Sequence, residues 1–391
     1  MSSTKIINST QLAVGWLTMF LLGTDLFVFS PLIPIVAADF RISPCVAGLG
    51  VAVFSSTYMV TAPLLGLLAD RIGRRRLLIC SLLAFGVANL LIACAADLHS
   101  LLIARAFAGA AAAGVSPSVY ALVGYAAPPE RRATWLSIVV SGLLLSLAIG
   151  ASTGAFVGGL FGWRPVFVTL AILSLALATI NCRVWPSHLK AEVVSSMRSA
   201  FPVSWLLLVR RMVPTVVWST SLYSVYTYLG TGLNSLGFSN GQTARAILFF
   251  GCGAFAGVLV GGRLTDRFGA EFTTGASLAG LCVCFLLLNW SFELDVQVEL
   301  TLALTSAVAQ LFFPAQQTAL TRDFPCQRAT VLACNNSALF LGIFLGSLVG
   351  GEMVGNFPLN LTIGAGIALV GYVVNRISIS EVRSKVVENS R

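Results

Sequence analysis

"GLLADRIGRRRLL", residues 66–78, interrupts two long apolar stretches with one acid and four arginines. A shorter version, "GRLTDRFG", stands at residues 262–269. Placing Asp70 on Asp266, a shift of 196 positions, also places Gly66 on Gly262, Arg71 on Arg267 and Gly73 on Gly269. The same shift carries Arg132, Ala133 and Thr134 onto Arg328, Ala329 and Thr330, Pro129 onto Pro325, Gly150 onto Gly346 and Gly154 onto Gly350. One constant shift across separate landmarks marks an internal duplication, so each half is expected to copy the other.

Composition says what kind of half this is. Of 391 residues 57% are hydrophobic and 10% charged, with mean hydropathy +0.89. Soluble domains carry about 25% charged residues, so the chain is read as an integral membrane protein. Its net charge of +9 then reflects orientation in the bilayer rather than nucleic-acid binding. The nine cysteines lie mostly in apolar runs and form no disulfide framework. No metal-ligand spacing and no GxxxxGK[ST] loop occurs, so neither a metal nor a cofactor is expected. The two histidines, His99 and His188, fall between apolar runs, and Asp25 is the only mid-span acid. An intramembrane protease would need a span histidine with a serine, or two span aspartates, so no enzyme is expected. The apolar run after Lys5 exceeds the roughly 7–15 residues of a signal-peptide core and reads as the first span.

A helix needs roughly 20 apolar residues to cross the bilayer. Runs of that length lie near 12–36, 46–69, 77–95, 100–125, 134–161, 165–185, 213–234, 242–264, 272–292, 298–320, 330–352 and 358–377. Lipid offers the backbone no hydrogen bonds, so all twelve must be helices. With the N-terminus in the cytoplasm, nearly all basic residues fall on the cytoplasmic side, and only Arg41, Arg164 and Arg245 fall outside. That asymmetry predicts both termini in the cytoplasm of a cell membrane. The expected organisation is a bundle over 1–186, a cytoplasmic linker over 187–212 and a bundle over 213–391. Six spans per half make the copies parallel, as in transporters whose repeats are related by an axis along the membrane normal.

Four stretches carry a family resemblance. "GLLADRIGRRRLL" resembles the major facilitator signature between helices 2 and 3, and "RAFAGAAAAG" (105–114) resembles its fourth-helix signature. "GASTGAFVGG" (150–159) resembles the fifth-helix signature of antiporters, and "GWRPVF" (162–167) resembles the usual start of helix 6. The chain resembles most the twelve-helix drug/proton antiporters. The resemblance implies an all-α membrane fold of two pseudo-symmetric six-helix bundles, functioning as a monomer. It implies a cytoplasmic latch in which Asp70 and Asp266 reach the opposite half near Arg328 and Arg132, with Gly66, Gly73, Arg71, Arg74 and Arg267 around it. The arginine run also fits topology alone, or contact with anionic lipid. Gly150, Gly154, Gly158 and Gly159 suit close helix packing, expected to seal the halves against proton leak. Ala155 stands where antiporters usually have proline.

Asp25 sits in the middle of helix 1, and Arg105 lies inside helix 4, with a depth gap of about 9 Å between them. Charges at such depth are costly and are functional candidates by default. A carboxylate there can load and release a proton, and in the family the arginine matching Arg105 is tied to that transfer. A purely structural pair, or a hydrogen bond from Thr24, is the plainer reading of Asp25. The resemblance also makes helices 1, 4, 7 and 10 the cavity walls. Candidates are Asp25, Phe29, Tyr120, Tyr223, Tyr226, Asn234, Phe312, Phe313 and Gln316, with Asn335 and Asn336 from helix 11. Aromatics with amides and one acid suit a small amphipathic or cationic organic solute. The expected function is proton-coupled export of such a molecule, a drug or metabolite, by alternating access. Uptake or facilitated diffusion of a nutrient on the same fold is the alternative.

Overall fold

The computed structural model describes residues 2–128, 131–186, 205–293, 298–324 and 328–389. The described residues form helices and no strand. In the first half these are α1 (Ser2–Phe40), α2 (Pro44–Ile72), α3 (Arg74–Ala93), α4 (Leu98–Ala112, then Val115–Ala126), α5 (Arg132–Leu145, a π-type turn at Ser146–Gly150, then Ala151–Phe161) and α6 (Arg164–Val184). In the second half they are α7 (Trp205–Tyr226, then Leu229–Ser235), α8 (Asn240–Phe268), α9 (Ala270–Glu293), α10 (Val298–Gln310, then Phe312–Asp323), α11 (Arg328–Glu352) and α12 (Phe357–Asn389). Eleven contain a stretch long and apolar enough to cross a membrane. The twelfth, α7, instead carries Arg210, Arg211 and a run of serine, threonine and tyrosine before its break. Twelve crossings bring both chain ends to one side, called here the terminal face; the opposite side is the far face.

α7 begins at Trp205, inside the stretch expected as linker. The helix extends through its two arginines because Arg211 is not solvated: its guanidinium pairs with Asp323 of α10 at 2.5 Å, and both are nearly buried. Residues 187–204 lie outside the described residues.

The duplication is legible in the packing. Within the first half α1 packs on α5 and α6, α2 on α4, and α3 on α4 and α6. Within the second, α7 packs on α11 and α12, α8 on α10, and α9 on α10 and α12, the same pairings one repeat later. One break repeats too: α4 at Ala113–Gly114 and α10 at Leu311 fall within two residues of each other after the shift. Gly73 ends α2 with φ 89°, and its repeat partner Gly269 ends α8 with φ 87°. Both positions need the left-handed backbone that glycine alone adopts without penalty, so the two tight turns are written twice in the sequence.

The glycine stripe of α5 does not seal the halves. Gly150, Gly154 and Gly158 face Thr24, Val28 and Leu32 of α1, within the same half. Gly159 alone meets the second half, at Asn240 of α8. The second half has the matching stripe: Gly342, Gly346 and Gly350 of α11 lie against Ser219, Thr220 and Ser224 of α7. Small residues four apart bring two backbones close wherever the chain pairs them. Spacing shows that a tight contact exists, and not which helix makes it.

Between the halves α2 packs on α11, α5 on α8, and α1 on the short second segment of α7. These contacts run from the far face to about mid-depth, where Tyr58 of α2 stacks on Phe340 of α11 at 3.7 Å. Nearer the terminal face, Gly66 on α2 and its counterpart Gly262 on α8 both border open space: a Cβ at either would meet no neighbouring atom within 4 Å. Among the described residues, the halves are joined at the far face and parted at the terminal face.

Candidate functional site

The first half holds one charged pair at its centre. Arg105 Nη1 of α4 donates to Asp25 Oδ1 of α1 at 3.0 Å, with 1% and 0% of the two side chains exposed. Arg105 Nε also donates to the Gly50 carbonyl of α2 at 3.2 Å. The guanidinium lies over the rings of Phe29 and Phe54, 4.6 and 4.5 Å from their centroids. Cation–π contacts that are shielded from water contribute about 2 kcal/mol each, so the arginine is held by an ion pair, a backbone carbonyl and two rings, all from α1 and α2. Asp25 is held less completely. Its second oxygen, Oδ2, is buried and receives no well-formed hydrogen bond among the described residues, because the neighbouring Asn89 amide donates to the Phe85 carbonyl; that leaves one acceptor position where a proton can sit.

α4 is set by its cap. Asp97 accepts from the Ser100 backbone N–H at 2.8 Å, and Ser100 Oγ accepts in turn from the Asp97 N–H at 3.2 Å. The hydrogen bond from the Ser100 backbone holds the Asp97 carboxyl below the ordinary carboxylate range. Two turns further on, Arg105 points into the bundle.

The latch residues lie at the terminal ends of their helices. The backbones of Asp70 and Arg328 belong to α2 and α11, and their side chains lie outside the described residues. Arg71, Arg132, Asp266 and Arg267 are exposed, and Arg74 is half-buried. Arg267 lies over the Phe268 ring at 5.2 Å. No described hydrogen bond or ion pair carries Arg71, Arg132, Asp266 or Arg267 across to the opposite half.

Most of the cavity candidates are packing residues. Phe29 is fully buried against Arg105 and Phe167. Phe312 stacks on Trp218 at 4.9 Å within the second half. Gln316 Nε2 donates to the Arg211 carbonyl at 2.8 Å, and Asn335 Oδ1 accepts from Thr215 at 2.6 Å. Asn234 Oδ1 accepts from Thr243 near the far face. Asp25 itself is sealed inside the first half. The common reason is that buried amides need partners and buried rings need neighbours, and each half supplies both from its own helices. Tyr120 and Phe313 stay half-buried, and Tyr223 and Tyr226 fall at the plane between the halves.

That plane contains Tyr58 and Tyr228, which the sequence reading passed over, beside Tyr226 and Asn336, which it named. Tyr58 accepts from or donates to Ser116 at 3.0 Å and accepts from Asn336 Nδ2 at 3.3 Å, linking α2, α4 and α11. Tyr226 of α7 donates to the Phe27 carbonyl of α1 at 3.1 Å. That carbonyl is available for a physical reason. Its normal helical donor would be the N–H four residues on, and residue 31 is a proline, which has none. Gly230, beyond the break in α7, lets the backbone approach Pro31: a side chain there would start 2.9 Å from the proline Cα. Tyr228, at the break itself, donates to the Ser347 carbonyl at 2.9 Å and is fully buried. A proline in an apolar span opposite a Tyr-Leu-Gly-Thr-Gly stretch was the signal available in the sequence.

The family model for the Major Facilitator Superfamily matches residues 15–295 and 215–390. The chain is 28% identical over 387 residues to the MFS-type transporter YtbD of Bacillus subtilis (strain 168), covering 96% of each chain. It is 26% identical over 340 residues to YceJ, another MFS-type transporter of that organism, covering 85% of this chain and 86% of YceJ. Its fold is similar to that of a D-xylose-proton symporter, with TM-score 0.78 at 17% identity over 94% of this chain and 96% of that one. It is also similar to a bacterial homolog of the human lysosomal transporter Spinster in an inward-facing, occupied conformation, with TM-score 0.71 at 16% identity over 94% of each chain. With twelve helices in two like halves and a family model spanning nearly all of them, the chain is a multi-pass membrane carrier of small molecules, not an enzyme, and it belongs to the major facilitator superfamily.

Proposed function

We propose that this carrier exports a small amphipathic or cationic organic molecule across the cell membrane in exchange for protons. The observation that carries the reading is the Asp25–Arg105 pair: one acid and one base, fully buried, with one carboxylate oxygen left without a partner. Desolvating an ion pair is expensive, and losing one partner strands the other. Such a pair is therefore a costly way to build a helix contact and an effective way to sense a proton. A proton on Asp25 removes its attraction for Arg105, and the freed guanidinium is left to Gly50 and the two rings.

The basic residues on the terminal face support a cytoplasmic placement of both termini. On that placement the parted side is the cytoplasmic one, where an exporter takes up its substrate. The substrate enters between the halves, near Tyr58, Tyr120, Tyr223 and Tyr226. Alternating access rocks the halves about that plane. Asp70 and Asp266 close the cytoplasmic side in the opposite state, with Arg132, Arg328 and the surrounding glycines and arginines.

The test is flux of a candidate compound in proteoliposomes carrying the wild-type chain or Asp25→Asn, with a proton gradient applied or collapsed by an uncoupler. Export driven by the gradient in the wild type and lost in Asp25→Asn supports the reading. Flux that ignores the gradient in both chains refutes proton coupling and favours facilitated diffusion.

A further inference from the structure

We propose that the terminal end of the second half carries a binding site for the phosphoryl headgroup of an anionic membrane lipid, built by Arg322 and Arg376. A cavity of about 380 Å³ opens there between the α8–α9 turn, the end of α10 and α12. Its walls include both arginines, Glu271, and the rings of Phe268 and Phe272. The two phenylalanines lie 5.5 Å apart and are about half exposed, at 51% and 56%. Arg376 is exposed, and no acid among the described residues pairs with it. Arg322 holds Glu271 at 3.2 Å and Asp323 at 3.0 Å, so the single acid in the wall is already shared.

The setting identifies the source of the phosphate. Arg376 lies on the α12 face that also exposes Val373 and Ile377, a lipid-facing surface at the boundary of the bilayer. A headgroup held by the two guanidiniums places its acyl chains along those side chains and the paired rings. Basic pockets between helices at this depth suit anionic headgroups, and guanidinium matches phosphate geometry with two parallel donors.

The duplication supplies a comparison within the same molecule. The first-half counterparts of Glu271, Arg322 and Arg376 are Arg75, Ala126 and Ile180. There Arg75 folds back and donates to the Cys182 carbonyl at the end of α6, at 2.5 Å. The first half therefore uses the arginine at the Glu271 position to finish a helix end, and the counterparts of Arg322 and Arg376 carry no charge.

The experiment is native mass spectrometry of the full-length chain released from nanodiscs containing phosphatidylglycerol. The wild type should retain a phosphatidylglycerol adduct. Arg376→Gln should reduce its occupancy roughly fivefold, the contribution of one basic residue at an anionic surface, while its melting temperature stays unchanged because the side chain pairs with no acid among the described residues. Glu271→Gln should raise occupancy by releasing the Arg322 Nη2 from its carboxylate, while Nε stays on Asp323. Arg183→Gln removes an exposed charge from the end of α6 and should leave the adduct intact. Equal loss in Arg376→Gln and Arg183→Gln, or no loss in Arg376→Gln, overturns the site. Displacement of the adduct by millimolar inorganic phosphate overturns the lipid source and assigns the arginines to soluble phosphate.

Discussion

Asp25 and Arg105 meet at the centre of the first half; the shift of 196 positions puts Ser221 and Thr301 in their places in the second. Ser221 simply donates to the Gly364 carbonyl at 2.7 Å. The second half has its own buried pair, Arg211 with Asp323, but near the terminal face, where the first half has Gly15 and Ala127. Helix pairings, the helix-ending glycine turns and the glycine stripes repeat, whereas the buried charges do not. The fold therefore rests on apolar contacts and close backbone approach, which both copies keep. Ionisable groups were fitted to that scaffold separately in each half.

The largest expected effect comes from breaking the central pair unevenly. Arg105→Leu strands the Asp25 carboxylate and should cost about 3–5 kcal/mol, read as a lower melting temperature in detergent. The double variant Asp25→Asn with Arg105→Gln should recover most of that stability and none of the coupled transport. If the double variant stays as unstable as the single one, the pair belongs to the scaffold, and the contrast between the halves loses its meaning.

Next come the repeat-related glycines. A Cβ at Gly154 would press on the Val28 side chain, whereas one at Gly350 would press on the Ser224 backbone carbonyl. A side chain can rotate away and a helix backbone cannot. Gly350→Ala should therefore cost about 1–3 kcal/mol as overpacking, and Gly154→Ala less. Equal melting temperatures for the two variants would show that the stripes are tighter copies of each other than their neighbours suggest.

A smaller effect is expected at the plane between the halves. Tyr226→Phe keeps the ring and removes its hydrogen bond to the Phe27 carbonyl, worth about 1 kcal/mol net. That bond exists only while the far face is closed, so its loss should shift the population toward far-side opening about fivefold. Labelling of Cys45, in a chain whose other cysteines are replaced, should rise accordingly. The smallest effect concerns the α4 cap. The folded-state pKa of Asp97 is depressed, so its stabilisation is present above the unfolded carboxylate range and is lost as pH falls through the folded value. Asp97→Ala should lower the melting temperature slightly near neutral pH and should make no difference in strong acid.

The fold was legible because lipid removes choices. Long apolar runs must be helices, an even number returns the chain to its starting side, and a constant shift between landmarks fixes the duplication. The site was legible only in part. Asp25 and Arg105 stand out as charges at depth, and the depth gap of about 9 Å suited a long side chain reaching through one water, whereas the structure has the two in direct contact. The start of α7 was missed because two arginines look like a loop until Asp323 is seen beside Arg211. Phe29, Phe312, Gln316 and Asn335 could not be sorted from cavity residues because periodicity does not say whether a side chain faces a neighbouring helix or a gap. Tyr58 and Tyr226 act through partners more than fifty positions away, and no local pattern encodes such distance.

Under the proposed coupling, Asp25, the one mid-membrane acid among the described residues, limits the stoichiometry of the cycle. A carrier with a single titrating carboxylate moves one proton per turnover. Trading that proton for an uncharged solute displaces one net charge, so membrane voltage, at about 2.3 kcal/mol per 100 mV, adds to the acidity difference as a driving force. Trading it for a monovalent cation displaces none and leaves the cycle blind to voltage. The electrical signature of the flux thus reports the charge of the cargo before its chemical identity is known.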